Sequence, residues 1–151
     1  MWKIYLLLFS LHATVFVAQD PIESVCDLFL QGISVDKDQE VNWRVLQSLF
    51  TEDAQFVLTV GEGVSTLTFE EFQKATQYSK WGFKEIAKAR KVTQFGKIAQ
   101  VAEIFEASIP NSETQYEGVN MYLMVKEGTD WKIACLTYEV ARPDLPTPKD
   151  W

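Results

Sequence analysis

The sequence predicts a single α+β domain in which about three helices cover one face of a curved antiparallel sheet. Three observations carry this. Capped stretches with apolar residues at helical spacing occupy the chain as far as Phe50. From Phe83 onward the chain reads as long strands joined by short links, two of them glycine-containing. With 151 residues, 47% of them apolar, the chain can build one core but not two.

Residues 1–19 stand apart from the domain, which is expected to span 20–151. Met1-Trp2-Lys3 supplies one positive charge, and Ile4 to Ala18 is apolar except for Ser10, His12 and Thr14. That stretch is too short and too interrupted for a bilayer span. A cationic start, a short apolar core and small residues near Ala18-Gln19 read as a secretory signal peptide, with an uncleaved anchor as the lesser alternative. The expected location is therefore exported, periplasmic or secreted, with no membrane attachment after cleavage. A cut after Gln19 places Val17 three residues before it, a better fit than Phe16, which a cut after Ala18 would place there.

Asp20-Pro21-Ile22-Glu23 is a helix start, with Asp as cap and Pro in the first turn. Ile22, Val25, Cys26, Phe29 and Ile33 follow at helical spacing, with Gly32 near the stop. A second helix carries Val41, Val45, Leu46 and Leu49 on one side and ends near Phe50, so that Thr51-Glu52-Asp53 forms a turn. Ala54–Val60 and Val64–Leu67 are expected strands around the Gly61-Glu62-Gly63 turn. Thr68-Phe69-Glu70-Glu71 is a capping box that opens a short helix reaching about Tyr78. Phe83–Phe95, Ile98–Ser108, Tyr116–Lys126 and Trp131–Ala141 complete the sheet as antiparallel neighbours.

Composition removes several chemistries. The formal charge of −7 repels phosphate backbones, which excludes nucleic acid as the expected partner. The one histidine, His12, lies in the signal segment, so no His-based triad, general base or His-rich zinc site is expected. Gly61-Glu62-Gly63 lacks the following lysine of a phosphate loop. No metal and no cofactor are expected. Cys26 lies on a helix stripe and Cys135 in mid-strand, both natural places for buried free thiols, a reading favoured over a bridge between them.

Several stretches together resemble the nuclear transport factor 2-like (NTF2-like, or SnoaL-like) superfamily. Leu49-Phe50-Thr51-Glu52-Asp53-Ala54 resembles the entry to that family's first strand. Gly82-Phe83-Lys84-Glu85, Phe95-Gly96-Lys97-Ile98-Ala99-Gln100-Val101, Gly118-Val119-Asn120 with Trp131-Lys132-Ile133, and the tail Pro143-Asp144-Leu145-Pro146-Thr147-Pro148 resemble an exported bacterial branch of it, one without an assigned function. The resemblance implies a cone-shaped fold, a strongly curved sheet wrapped around the helices with a pocket at its wide end. Isomerases, dehydratases, cyclases, epoxide hydrolases and transport adaptors share that fold, so it does not fix an activity. Gln100 and Ala102 depart from that branch, where histidine and a larger residue are common.

Strand alternation nominates pocket residues. Phe83, Glu85, Ala87 and Ala89 form the less charged, inward face of their strand, opposite Lys84, Ile86, Lys88 and Arg90. Glu85 among small apolar neighbours is a candidate general base with a raised pKa, although a rim carboxylate paired with a lysine or arginine is the commoner arrangement. Glu103 shares a face with Ala99, Val101 and Phe105 and is a second candidate. Asn120, Tyr122 and Met124 oppose the apolar set Val119, Met121, Leu123 and Val125. Tyr122 or Tyr138 is placed to donate to a ligand carbonyl. Trp43 and Trp81 are candidate ligand contacts, with core or rim packing as the more frequent use of such rings.

Two functions follow. The first is an exported domain that binds a small apolar or amphipathic molecule in the cone pocket, with a second copy of the chain, through the open sheet face, as candidate protein partner. The second is a histidine-independent acid–base enzyme of isomerase or dehydratase type, using Glu85 or Glu103 with a tyrosine donor. Without histidine or a carboxylate pair at recognisable spacing, the balance leans to binding rather than catalysis. A purely structural sheet-pairing role comes third.

Overall fold

The structure, a computed structural model, describes residues 20–60 and 63–151. The expected signal peptide at 1–19 and the expected turn residues 61–62 lie outside the described residues.

Helix α1 (Pro21–Ile33) begins where its cap predicts, with the Ile22 amide donating to Asp20 Oδ1 at 2.8 Å. Ile22, Cys26, Phe29, Leu30 and Ile33 are its buried stripe. Gly32 lies inside the last turn rather than after it, and a Cβ there would overlap the Leu46 side chain. That close approach docks α2 (Trp43–Gln47), which is shorter than its apolar pattern predicts. Val45 points to solvent, while Leu46 is buried.

The turn expected at 51–53 is instead strand. Phe50 opens β1 (Phe50–Val60) by pairing with Ile133 near the far end of the chain, a partner that local sequence cannot reveal. Phe50 also packs 5.6 Å from Phe29 and 5.0 Å from Phe56, ring centre to ring centre. Strand β2 (Gly63–Thr68) returns antiparallel to β1. The capping box at Thr68 forms in both directions, the Glu71 amide donating to Thr68 Oγ1 and the Thr68 amide to Glu71 Oε2. It opens α3 (Phe69–Ala75), and a separate turn of helix, α4 (Tyr78–Trp81), follows.

Strands β3 (Lys84–Phe95), β4 (Ile98–Ser108), β5 (Gln115–Glu127) and β6 (Asp130–Val140) form successive antiparallel pairs. All six strands make one curved sheet in the order β2-β1-β6-β5-β4-β3. The α+β class holds, with one departure from an all-antiparallel sheet: β1 and β6 run parallel. The helices pack on one face, and the aromatic core includes Phe56 and Phe72 stacked at 4.0 Å.

Two β-bulges revise the expected faces. Ala87 pairs with Phe105 and Ala89 with Ile104, so Lys88 is an extra residue. Inward-facing residues before it are Glu85 and Ala87. After it the parity reverses, so Ala89 turns outward and Arg90 turns inward, opposite Glu103, contrary to strict alternation. In β6 the register skips Ala134, and Cys135 lies opposite the exposed Leu123. Cys135 is therefore half-buried on the outer face, while Cys26 is buried beneath α1; both thiols are free. Burial pushes the Cys26 thiol up to about 12.

Candidate functional site

Between the helices and the inner sheet face lies a cavity of about 60 Å³. The sheet contributes Glu85 from β3, Phe105 from β4, Tyr116 and Asn120 from β5, and Leu136 and Tyr138 from β6. Phe29 and Ile33 of α1, Phe72 of α3 and Tyr78 of α4 close it from the other side, with Phe83 at the entry to β3. Gly118 makes room for this wall. A Cβ there would stand 2.5 Å from the Phe105 ring and from the Glu139 carbonyl oxygen.

Glu85 is the carboxyl on the cavity wall. Its Oε1 accepts from Asn120 Nδ2 at 2.8 Å, and its other oxygen takes no donor among the described residues. Asn120 also donates to Glu103 Oε1 at 3.0 Å, and that oxygen accepts the Tyr122 hydroxyl at 2.8 Å. Glu103 Oε2 receives Arg90 Nε at 2.5 Å, and Arg90 Nη1 reaches Asp27 Oδ1 at 2.6 Å. Glu103 has no solvent exposure, so this pairing is what makes an ionised carboxylate there tolerable. Arg90 Nη2 is buried and has no hydrogen-bond partner among the described residues.

Desolvation raises the Glu85 carboxyl to about 7; the Asn120 bond opposes this shift and the nearby Glu103 adds to it. Burial first, and the Glu85 charge after it, raises the Tyr78, Tyr116 and Tyr138 phenols. Near neutral pH the cavity thus presents neutral phenols and one carboxyl that can hold or release a proton.

No family model matches the chain, and no curated protein matches it. Solved structures do. A cystatin-like protein of unknown function from Nostoc punctiforme superposes with a TM-score of 0.63 at 13% identity, over 83% of this chain and 92% of that one. An NTF2-like protein of unknown function from Shewanella baltica gives 0.58 at 10% identity, over 81% and 92%. The fold is NTF2-like. A Novosphingobium aromaticivorans protein provisionally named a scytalone dehydratase gives 0.63 at 14% identity, over 81% and 83%. At such identities the likeness is one of fold, and what the NTF2-like cavity does must be argued from its own side chains.

The NTF2-like sheet brings Glu85, Asn120 and Tyr138 to the cavity wall. Glu85 has the inward position predicted for it and is not paired with a lysine or arginine among the described residues. Glu103 and Tyr122 lie behind that wall, and Glu103 has both oxygens engaged, so it is not open to a ligand. Trp43 packs edge-on against Phe69 and Phe72, at 6.2 and 6.4 Å, outside the lining. Trp81 is exposed, with the Lys80 ammonium 4.8 Å from its ring. Gln100 lies on the outer face, opposite Leu123, away from the cavity.

Tyr78, Tyr116 and Arg90 escaped the sequence reading. Tyr116 shares the parity of Asn120 and Tyr122 on β5, a signal that was available. Tyr78 belongs to a single helical turn without periodicity, and Arg90 reaches the interior only through the bulge at Lys88.

A larger groove of about 360 Å³ lies under the tail, between Leu145–Trp151 and the outer-face residues Val119, Met121 and Thr137. Its lining has no buried polar network comparable to that around Glu85.

Proposed function

We propose that the chain is exported and binds a small amphipathic molecule in the Glu85 cavity. The observation that carries this is a wall carboxyl with one oxygen unengaged by the described residues, set among aromatic rings and anchored from behind by Asn120. A site of this kind fixes orientation with few polar groups and gains affinity from apolar contact. The volume of about 60 Å³ corresponds to a few waters at about 10–15 Å³ each, so only a small head group of a ligand is enclosed. Native mass spectrometry of protein collected from its own export route tests this. A bound small molecule that Glu85→Gln weakens supports the reading. An empty protein that no small amphipathic compound stabilises against heat refutes it.

The second reading is acid–base catalysis of isomerase or dehydratase type, with Glu85 as base and Tyr116 or Tyr138 as donor. What favours it is the Glu85 carboxyl at about 7, the range in which a general base works best at neutral pH. On this reading Glu85→Gln lowers turnover by about 10²–10⁴ while ligand affinity persists. For a protein partner we infer a second copy, seated on the outer sheet face where Phe95, Ile98, Met121 and Leu123 are exposed. A monomeric mass in sedimentation at micromolar concentration would remove that inference.

A further inference from the structure

We propose that the preferred occupant of the Glu85 cavity is a small organic cation of alkylammonium type, held against the carboxylate beside the aromatic wall. This rests on the reading of the cavity as a small-molecule site and names the chemistry of what enters it.

The first argument is the charge around the cavity. From β3 comes Glu85; from β4, Glu103 behind it; from β5, Tyr116 and Asn120; from β6, Tyr138; from α4, Tyr78. Helices α1 and α3 contribute Phe29, Ile33 and Phe72 to the wall, none of them charged. Among the described residues, no lysine or arginine lines the cavity. Arg90, the nearest cation in the network, is turned away to Glu103 and Asp27. When Glu85 ionises, its charge meets the like charge of Glu103 and has no cationic partner among the described residues. An anionic ligand would add to that repulsion, and a neutral one would leave it as it is. A cation supplies the missing partner.

The second argument is the wall. Phe29, Phe72, Tyr78, Phe83, Tyr116 and Tyr138 ring the carboxyl, and aromatic faces attract alkylammonium groups more strongly once both are withdrawn from water. As a probe, tetramethylammonium has the advantage that its charge does not depend on pH.

The proposal fixes a pH dependence. A cation binds the ionised form of Glu85, whose fraction rises about tenfold between pH 6 and pH 8 for a carboxyl titrating near 7. Apparent affinity should rise by the same factor.

The test titrates wild type and Glu85→Gln with tetramethylammonium and with its neutral near-isostere tert-butanol, at pH 6 and pH 8, by calorimetry or by chemical-shift change. The glutamine retains an oxygen to accept the Asn120 bond, and a melting curve establishes that the variant is folded. The expected result is tetramethylammonium bound about tenfold tighter at pH 8 than at pH 6, and at least tenfold weaker by Glu85→Gln, with tert-butanol weak in both proteins. If tert-butanol binds as well as tetramethylammonium and neither pH nor the substitution matters, the cation inference falls and the small-molecule site stands. If neither probe binds wild type at millimolar concentration, both fall.

Discussion

Replacing Glu85 by Gln tests directly whether the carboxyl is held in a desolvated place. In the folded chain Glu85 titrates near 7, against an ordinary value of 4.5. Below about pH 4.5 the group is neutral in folded and unfolded chains alike and has no effect on the balance. Between 4.5 and 7 the unfolded chain loses its proton while the folded chain keeps it, so stability falls as pH rises, and above 7 the loss is complete. At ~1.4 kcal/mol per pH unit, the difference between 4.5 and about 7 sets a ceiling of about 3.5 kcal/mol, lowered somewhat because Glu85 is only half-buried. Glutamine carries no charge and preserves the acceptor for Asn120. The variant should therefore match wild type near pH 4.5 and exceed it by about 2–3 kcal/mol at pH 8.5, measured by urea denaturation at both values. The difference between the two proteins cancels every other titrating group. A constant difference across that range, or a variant less stable at pH 8.5, would refute the account of Glu85 as a desolvated carboxyl.

Four further outcomes are expected. Arg90→Met should cost about 3–5 kcal/mol at neutral pH in denaturant unfolding, because it leaves the buried Glu103 carboxylate without its cation; adding Glu103→Gln should recover part of that loss. Gly118→Ala should destabilise by about 1–3 kcal/mol, since its methyl group meets the Phe105 ring, and the same variant should weaken any cavity ligand in a titration. In native protein a thiol reagent should label Cys135 slowly and leave Cys26 untouched, with both labelled in urea, as mass spectrometry would show. N-terminal sequencing of exported material should begin near Gln19 or Asp20, and recovery of Met1 would favour an anchor instead.

Local features were legible in the sequence and long-range ones were not. The caps at Asp20 and Thr68 act through residues two or three apart, so a short window contains the whole cause. The inward position of Glu85 was legible because it precedes the Lys88 bulge; Arg90 was misplaced because it follows it. Nothing at Lys88 marks the extra residue, since no glycine or proline stands there. Phe50 read as a helix end because its strand partner Ile133 belongs to the last strand of the chain. For the site, alternation on β5 separated Asn120 and Tyr122 from Met121 and Leu123. It could not show that Glu103 would bind both of them and thereby withdraw Tyr122 from the cavity.

The parallel pairing of β1 with β6 has a consequence for the order of folding. Beyond its hairpin partner β2, β1 has one neighbour in the sheet, and that neighbour, β6, is synthesised after the other five described strands. A two-stranded ribbon is marginal by itself, so the amino-terminal half cannot complete a stable sheet while synthesis is under way. Phe56 must wait for Leu136, and closure of so long a loop is intrinsically slow. The topology itself thus keeps the first hairpin waiting, with β6 serving as the latch that closes the sheet.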